Sequence, residues 1–338
     1  MKFEDDGEAK TMSSEAYENP TPERARIVVA TAYGGPELLA LREVPVPKVG
    51  HGQVSVAIRA SGVNPIDYKL YGGGFGTDPA NLPLRIGVEA AGVVTAVGEG
   101  AVGPTGPISV GDEVLVFRAP GAYATQLVVP ASSVLAKPAN LPWDQAGGLL
   151  AAGATAVHAL EAVALEEGET VLIHGAAGGV GHLAVQLAVA RGATVIGTAS
   201  PGKHDLLREL GAIPVAYGTG LTDRVRAAAP QGVDAAADMV GSDEAIDTSL
   251  EVVPDRLRIA TIAGFVRGRL AGVKLLGGVP GADPGQDIRY AARLRLVIAA
   301  ATGTLRVIVS ETFPLNRAAD AHRAIMSGRT TGKIVLLS

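Results

Sequence analysis

From residue 27 to about 138, apolar positions come in short runs broken by glycine and proline. The clearest are 26–30, 53–60, 87–97, 112–116 and 123–129. Runs of this length and spacing predict a compact, barrel-like all-β module. From about Trp143 the rhythm changes. Apolar strands at 171–174, 194–198, 215–217, 233–239 and 258–263 alternate with helical stretches. That alternation predicts a parallel, doubly wound α/β sheet with helices on both faces. The end returns to β character at 305–309 and 333–337, around a helix near 316–326. It reads as the chain rejoining its first module. The expected organisation is a tail over 1–24, a substrate module from 25–145 and 292–338, and a cofactor-binding unit over 146–291. The tail, MKFEDDGEAKTMSSEAYENPTPER, is polar and acidic without periodicity, so it is expected to be disordered.

The most informative stretch is VLIHGAAGGVGHLAVQLAVARG, residues 171–192. An apolar strand meets a glycine-rich turn, and an amphipathic helix follows at once. Small residues let a backbone approach a pyrophosphate, and a helix N-terminus offers unpaired N–H groups and a partial positive charge. Ala176, Gly178 and Gly181 fit the dinucleotide fingerprint, with alanine for the first glycine, and Gly179 and Val180 complete the turn. The strand before it and the βαβ spacing after it supply the context such a motif needs.

Composition narrows the picture. A length of 338 residues suggests two domains, and 47% apolar residues suffice for large cores. The net charge of −5 argues against a nucleic-acid partner, which needs a basic stripe. The sequence shows no run long enough to span a membrane and no basic-then-apolar leader, so a cytoplasmic location is expected. With zero cysteines, disulfide and thiolate chemistry are excluded.

The order of modules resembles the medium-chain dehydrogenase/reductase superfamily, in its zinc-independent, quinone oxidoreductase-like branch. The carriers are SGVNPIDYKLYGGG (61–74), GVEAAGVVTAVGEG (87–100), VGDEV (110–114), AAGATAVHAL (151–160), GAAGGVG (175–181) and TGKIVLL (331–337). The resemblance implies a GroES-like β-barrel-type substrate domain, a Rossmann domain and an active site in the cleft between them. Zinc-dependent members carry a catalytic cysteine and a Gly-His-Glu segment; here that segment reads Gly87-Val88-Glu89, and no cysteine exists. Zinc prefers sulfur and nitrogen ligands, so no catalytic metal is expected and Glu89 reads as a structural carboxylate.

A dinucleotide unit selective for NAD places a carboxylate where the second strand ends, to hold the ribose hydroxyls. Here that strand ends in Ser200-Pro201-Gly202-Lys203-His204. Ser200, Lys203 and His204 suit a 2′-phosphate, which points to NADPH; the same residues also suit an exposed turn and helix cap. Asn64 and Pro65 make a stock helix start, and Asp67 suits its first turn. By resemblance this helix borders the nicotinamide, with Asn64 at the site; Tyr71, or alternatively Tyr68 or water, is the expected proton donor. Phe75 stands where some enoyl-reducing relatives carry a tyrosine. The resemblance also brings Gly153, Thr155 and Lys333 near the cofactor. Val240, Gly241, Ala263, Gly264 and Phe265 fall at strand ends, where open sheets bind ligands. Tyr123 and Trp143 read as core or junction aromatics.

The expected function is NADPH-dependent reduction of quinones or α,β-unsaturated carbonyls without zinc. Alternatives are an enoyl-thioester reductase of polyketide or fatty-acid chemistry, and a cofactor-binding protein without turnover. A homodimer is expected, paired along a sheet edge supplied by the apolar run 270–279.

Overall fold

The computed structural model of the chain describes residues 23–338. All but the last two residues of the expected acidic tail lie outside that range, and Arg24 already belongs to the first strand, Arg24–Ala30.

The β module is organised around the long strand Gln53–Val63. It pairs antiparallel with Glu89–Val97 and with Gln126–Pro130. The strand Lys333–Leu337 pairs with its C-terminal part, with Ile334 opposite Val63. The chain therefore ends inside the module it began. Alternating valines of Gln53–Val63 face a cluster that includes Val94, Val116 and Val134, all close to fully buried. This is the sheet-face alternation expected of a closed β module.

The second unit is a six-stranded parallel sheet. Its order is Ile213–Ala216, Thr194–Ala199, Thr170–His174, Ala235–Asp238, Ile259–Thr261 and Lys274–Leu275. Numbered along the chain, that is 3-2-1-4-5-6, the dinucleotide-binding order, whose ligand crevice lies where the order reverses. The chain is thus an α/β protein with a GroES-like module and a Rossmann unit. The helix Leu150–Ala162 is rich in alanine and mostly buried. Its small residues let the helix Gln286–Ala301 approach closely: a Cβ on Gly153 would sit 3.0 Å from Leu296.

Two expectations need correction. Residues 305–308 are not a strand; the strand is Val309–Pro314. Leu305 and Val307 are instead buried in the large core cluster. The amides of Arg306 and Ile308 donate to the side chains of Gln186 and His182, at 2.8 and 3.1 Å. Side-chain partners thus replace a β ladder. The apolar run 270–279 contributes only the two-residue edge strand Lys274–Leu275. Residues Phe265–Ala271 are a helix, ended by Gly272 in the left-handed conformation at φ 72°.

Candidate active site

A cleft of about 920 Å³ runs between the two units. One end is the glycine turn between the strand Thr170–His174 and the helix Gly181–Ala190. Gly175 makes the turn at φ 68°. Among the described residues, the amides of Gly179, Val180 and Gly181 donate to no backbone carbonyl, and all three residues line the cleft with Gly178. The loop is held from behind by His182. One ring nitrogen lies 2.8 Å from the Gly178 carbonyl, and the other accepts from the Ile308 amide. Burial lowers the His182 pKa to about 4, which keeps the ring neutral and leaves one nitrogen free to accept.

Further along, Ser200, Lys203 and Tyr217 line the cleft where the second and third strands end. Lys203 Nζ donates to the carbonyls of Arg329 and Thr330, at 2.9 and 3.1 Å. Burial lowers its pKa from the usual lysine value. Beside the glycine turn, Asp238 closes the ends of two strands. Its Oδ1 accepts from the amides of Val240 and Gly241, and its Oδ2 from the Thr261 hydroxyl at 2.7 Å. Thr261 in turn accepts from the amides of Ala263 and Gly264. One carboxylate therefore shapes both strand-end loops.

The floor of the cleft is a buried ion pair. Lys333 is 3% exposed and Glu89 is 1% exposed. Lys333 Nζ donates to Asn64 Oδ1 at 2.6 Å, Val63 O at 3.1 Å and Glu89 Oε1 at 3.2 Å. All three ammonium protons are spoken for. Asn64 Nδ2 donates to Glu89 Oε1 and Gly62 O, at 3.0 and 3.1 Å. Glu89 Oε2 accepts the Ala151 amide at 2.8 Å, near the start of the helix Leu150–Ala162. Asn64 therefore has no donor left and offers the cleft only a spare lone pair on Oδ1.

The helix Pro65–Tyr71 has two faces. Tyr68 and Lys69 line the cleft, whereas Asp67 and Tyr71 are buried behind it. Tyr71 is 1% exposed, its hydroxyl lies 2.7 Å from His322 Nδ1, and its ring stacks on His322. His322 Nε2 reaches the Tyr123 hydroxyl at 3.1 Å, and Tyr123 donates to Asp67 Oδ2 at 2.9 Å. Burial pushes Asp67 up to about 7, and Asp67 Oδ1 has no partner. Burial first, then the charges of Asp67 and Glu37, raise the Tyr71 phenol well above its ordinary value. Tyr71 is thus corrected as a proton donor: the turn of the helix points it into the core, three residues on from the cleft-facing Tyr68.

Of the other residues expected at the site, Thr155, Gly178, Gly179, Val180, Gly181, Ser200, Lys203, Val240, Ala263, Phe265 and Lys333 line the cleft with Asn64. Four do not. Ala176 is fully buried, and its methyl faces Gly197 on the next strand. His204 turns back onto the Ala199 carbonyl. Gly241 and Gly264 are held behind the surface by Asp238 and Thr261. Arg118, Tyr217 and Arg289, which the sequence did not single out, line it too.

The residues fit a dinucleotide. A glycine-rich cradle, amides at the start of a ten-residue helix that donate to no backbone carbonyl, and a lysine at the rim would hold its phosphates. They do not fit zinc. Among the described residues no three His, Cys, Asp or Glu side chains converge, and both Glu89 oxygens are committed.

Residues 50–139 match the family described as alcohol dehydrogenase GroES-like domain, and 210–336 that described as zinc-binding dehydrogenase. A quinone oxidoreductase of Pseudomonas aeruginosa is 33% identical over 334 residues, covering 93% of this chain and 99% of that one. The chain belongs to the medium-chain dehydrogenase/reductase superfamily, in its quinone oxidoreductase-like branch. A 2-haloacrylate reductase from a Burkholderia species is 34% identical, over 90% of this chain and 96% of its own. The solved Escherichia coli quinone oxidoreductase complexed with NADPH superposes with a TM-score of 0.80 at 26% identity, covering 93% of this chain and all of that one. The chain spans 54% of the mouse synaptic vesicle membrane protein VAT-1 homolog, at 36% identity over 225 residues, and 8% of a Streptomyces venezuelae polyketide synthase component. Among the described residues no helix is long and apolar enough to cross a membrane.

The glycine turn separates two roles. A Cβ on Gly181 would overlap the Gly175 carbonyl and sit 2.8 Å from Ala176 Cα, whereas one on Gly178 meets only Gly175 O at 3.2 Å. Gly181→Ala should therefore cost about 1–3 kcal/mol of stability, as overpacking does. Gly178→Val should stay folded and lose cofactor affinity. Thermal melts beside cofactor titrations check this; the reverse pattern would contradict it.

Proposed function

We propose that the protein is an NADPH-dependent reductase of quinones or α,β-unsaturated carbonyls, working without zinc. The observation that carries this reading is the floor of the cleft. Asn64 and Lys333, the polar side chains there, have every donor hydrogen engaged by Glu89, Gly62, Val63 and one another. Oxidising a simple alcohol requires an alkoxide to be stabilised, which zinc does in many dehydrogenases as a Lewis acid. Nothing on this floor replaces it. A conjugated acceptor asks for less, because the arriving negative charge is delocalised.

The cofactor supplies the hydride; the protein's own part is to bind, orient and deliver a proton. Phe75, Val88 and Phe117 give the substrate end an apolar wall, and Phe75 stands 3.7 Å from where a Cβ on Gly278 would be. Tyr68 is half-buried on this wall, and burial raises its phenol, so it stays protonated and can donate. It takes the role that Tyr71 cannot fill. At the other end, Ser200, Lys203 and Tyr217 stand where NAD-selective folds carry a carboxylate, which supports NADPH over NADH. The NADPH-bound relative supports the same choice.

The direct test is cofactor oxidation against quinones, enones, 2-alkenals and simple alcohols side by side. Reduction of the conjugated compounds with little alcohol oxidation is expected, and the opposite ranking would refute the reading. Tyr68→Phe should slow enone reduction by about 10²-fold, the usual worth of a general acid, and quinone reduction less, since its product anion can take a proton from water. Equal losses on both substrates would remove Tyr68 from the chemistry.

Lys203→Ala should weaken NADPH by roughly 10-fold or more, the lower end for a charge-assisted phosphate contact, and leave NADH unchanged. A titration showing equal weakening of both cofactors would assign Lys203 to holding the 329–330 loop instead.

A further inference from the structure

Two arginines at the substrate end of the cleft make no salt bridge among the described residues. Arg118 follows Phe117 out of the strand Glu113–Phe117, lines the cleft, and makes no hydrogen bond or ion pair among the described residues. Its backbone sits at φ 54°, a left-handed conformation that an L-residue with a long side chain adopts at a cost. Arg289, on the helix Gln286–Ala301, lines the same cleft from the opposite unit. Its Nε donates to His158 Nδ1 at 3.2 Å, while its terminal nitrogens meet no protein acceptor among the described residues.

One carboxylate, Asp283, offsets part of the charge on Arg289 without bonding to it. Its oxygens are taken by His158 Nε2 at 3.0 Å and the Gly285 amide at 2.8 Å. Burial first, then the repulsion of Arg118, holds the Arg289 guanidinium below its usual value. Two like charges that repel one another, one of them partly desolvated, are costly, and a bound anion relieves that cost. A guanidinium also presents paired N–H donors that match a carboxylate.

We propose that Arg118 and Arg289 form an anion subsite that selects conjugated substrates bearing a carboxylate. The site deepens the reductase reading and rests on it for the word substrate, though not for the binding of the anion. The recognised molecule carries an acceptor double bond over the Asn64–Lys333 floor and a carboxylate between the two guanidiniums, with Phe117 against its carbon chain.

The test compares 4-oxopent-2-enoate with its methyl ester, each with NADPH. One hydride and one proton convert the acid to 4-oxopentanoate, and the ester keeps the same acceptor double bond while replacing the charged group with a neutral one. The acid should show a KM at least roughly 10-fold lower, the worth of one charge-assisted contact. Arg118→Gln and Arg289→Gln should each erase most of that advantage while leaving the ester's KM unchanged. Arg118 bonds to no neighbour, so its variant reports on the site even if loss of the Arg289–His158 bond disturbs the fold. Calorimetry of 4-oxopentanoate with the protein and NADP+ provides a readout free of turnover: wild type should bind it and both variants should not. Equal KM values for acid and ester, or 4-oxopentanoate binding that the variants leave intact, would overturn the subsite. Failure to reduce either compound or any quinone would overturn the reductase reading instead, and the calorimetry would still decide the subsite.

Discussion

The Glu89–Lys333 ion pair is the interaction on which the cleft depends. Burying two opposite charges is expensive unless each finds its remaining partners. Here each does. Glu89 gathers Asn64, Lys333 and the Ala151 amide, and Lys333 gathers Glu89, Asn64 and the Val63 carbonyl. These bonds tie four segments distant in sequence: the end of Gln53–Val63, the start of Glu89–Val97, the first buried helix, and the terminal strand. Lys333 lies next to the point where the chain returns to its first module, so closing that module and building the floor of the site are one event.

The same pair stands beside the position that, by family resemblance, belongs to a zinc-ligating histidine and here is Val88. The glutamate that follows is turned inward to a lysine rather than left to support a metal. What results is a floor of fixed polarity with no donor to spare. In the proposed reaction, proton delivery falls to the helix Pro65–Tyr71, whose cleft face carries Tyr68 and whose inner face is held by the chain Asp67–Tyr123–His322–Tyr71. A hydrogen-bond chain sealed behind a site rigidifies the element that presents it.

Much of this was legible from the sequence, and the reasons are local. The glycine turn at 175–181 and the parallel strands around it follow from patterns set by near neighbours: apolar strand, small residues, amphipathic helix. The failures were tertiary. Whether Tyr68 or Tyr71 faces the cleft depends on which side of a seven-residue helix meets the β module, and both positions suit a short helix equally. Residues 305–308 have β composition, yet Gln186 and His182 take their amides. The Ala176 position signals a tight turn correctly, but its methyl points at Gly197 rather than at a ligand. Arg118 and Arg289 sit far apart in sequence, and only the closure of one unit against the other makes them a pair.

The claim that the buried ion pair sets the cleft is tested most directly by a double-mutant cycle of Glu89→Gln and Lys333→Met, read by denaturant unfolding. Each single change leaves a buried charge alone and should cost about 3–5 kcal/mol, whereas the double variant should recover a large share of that loss. Additive losses, or single variants as stable as the parent, would show that the pair does not hold the site together.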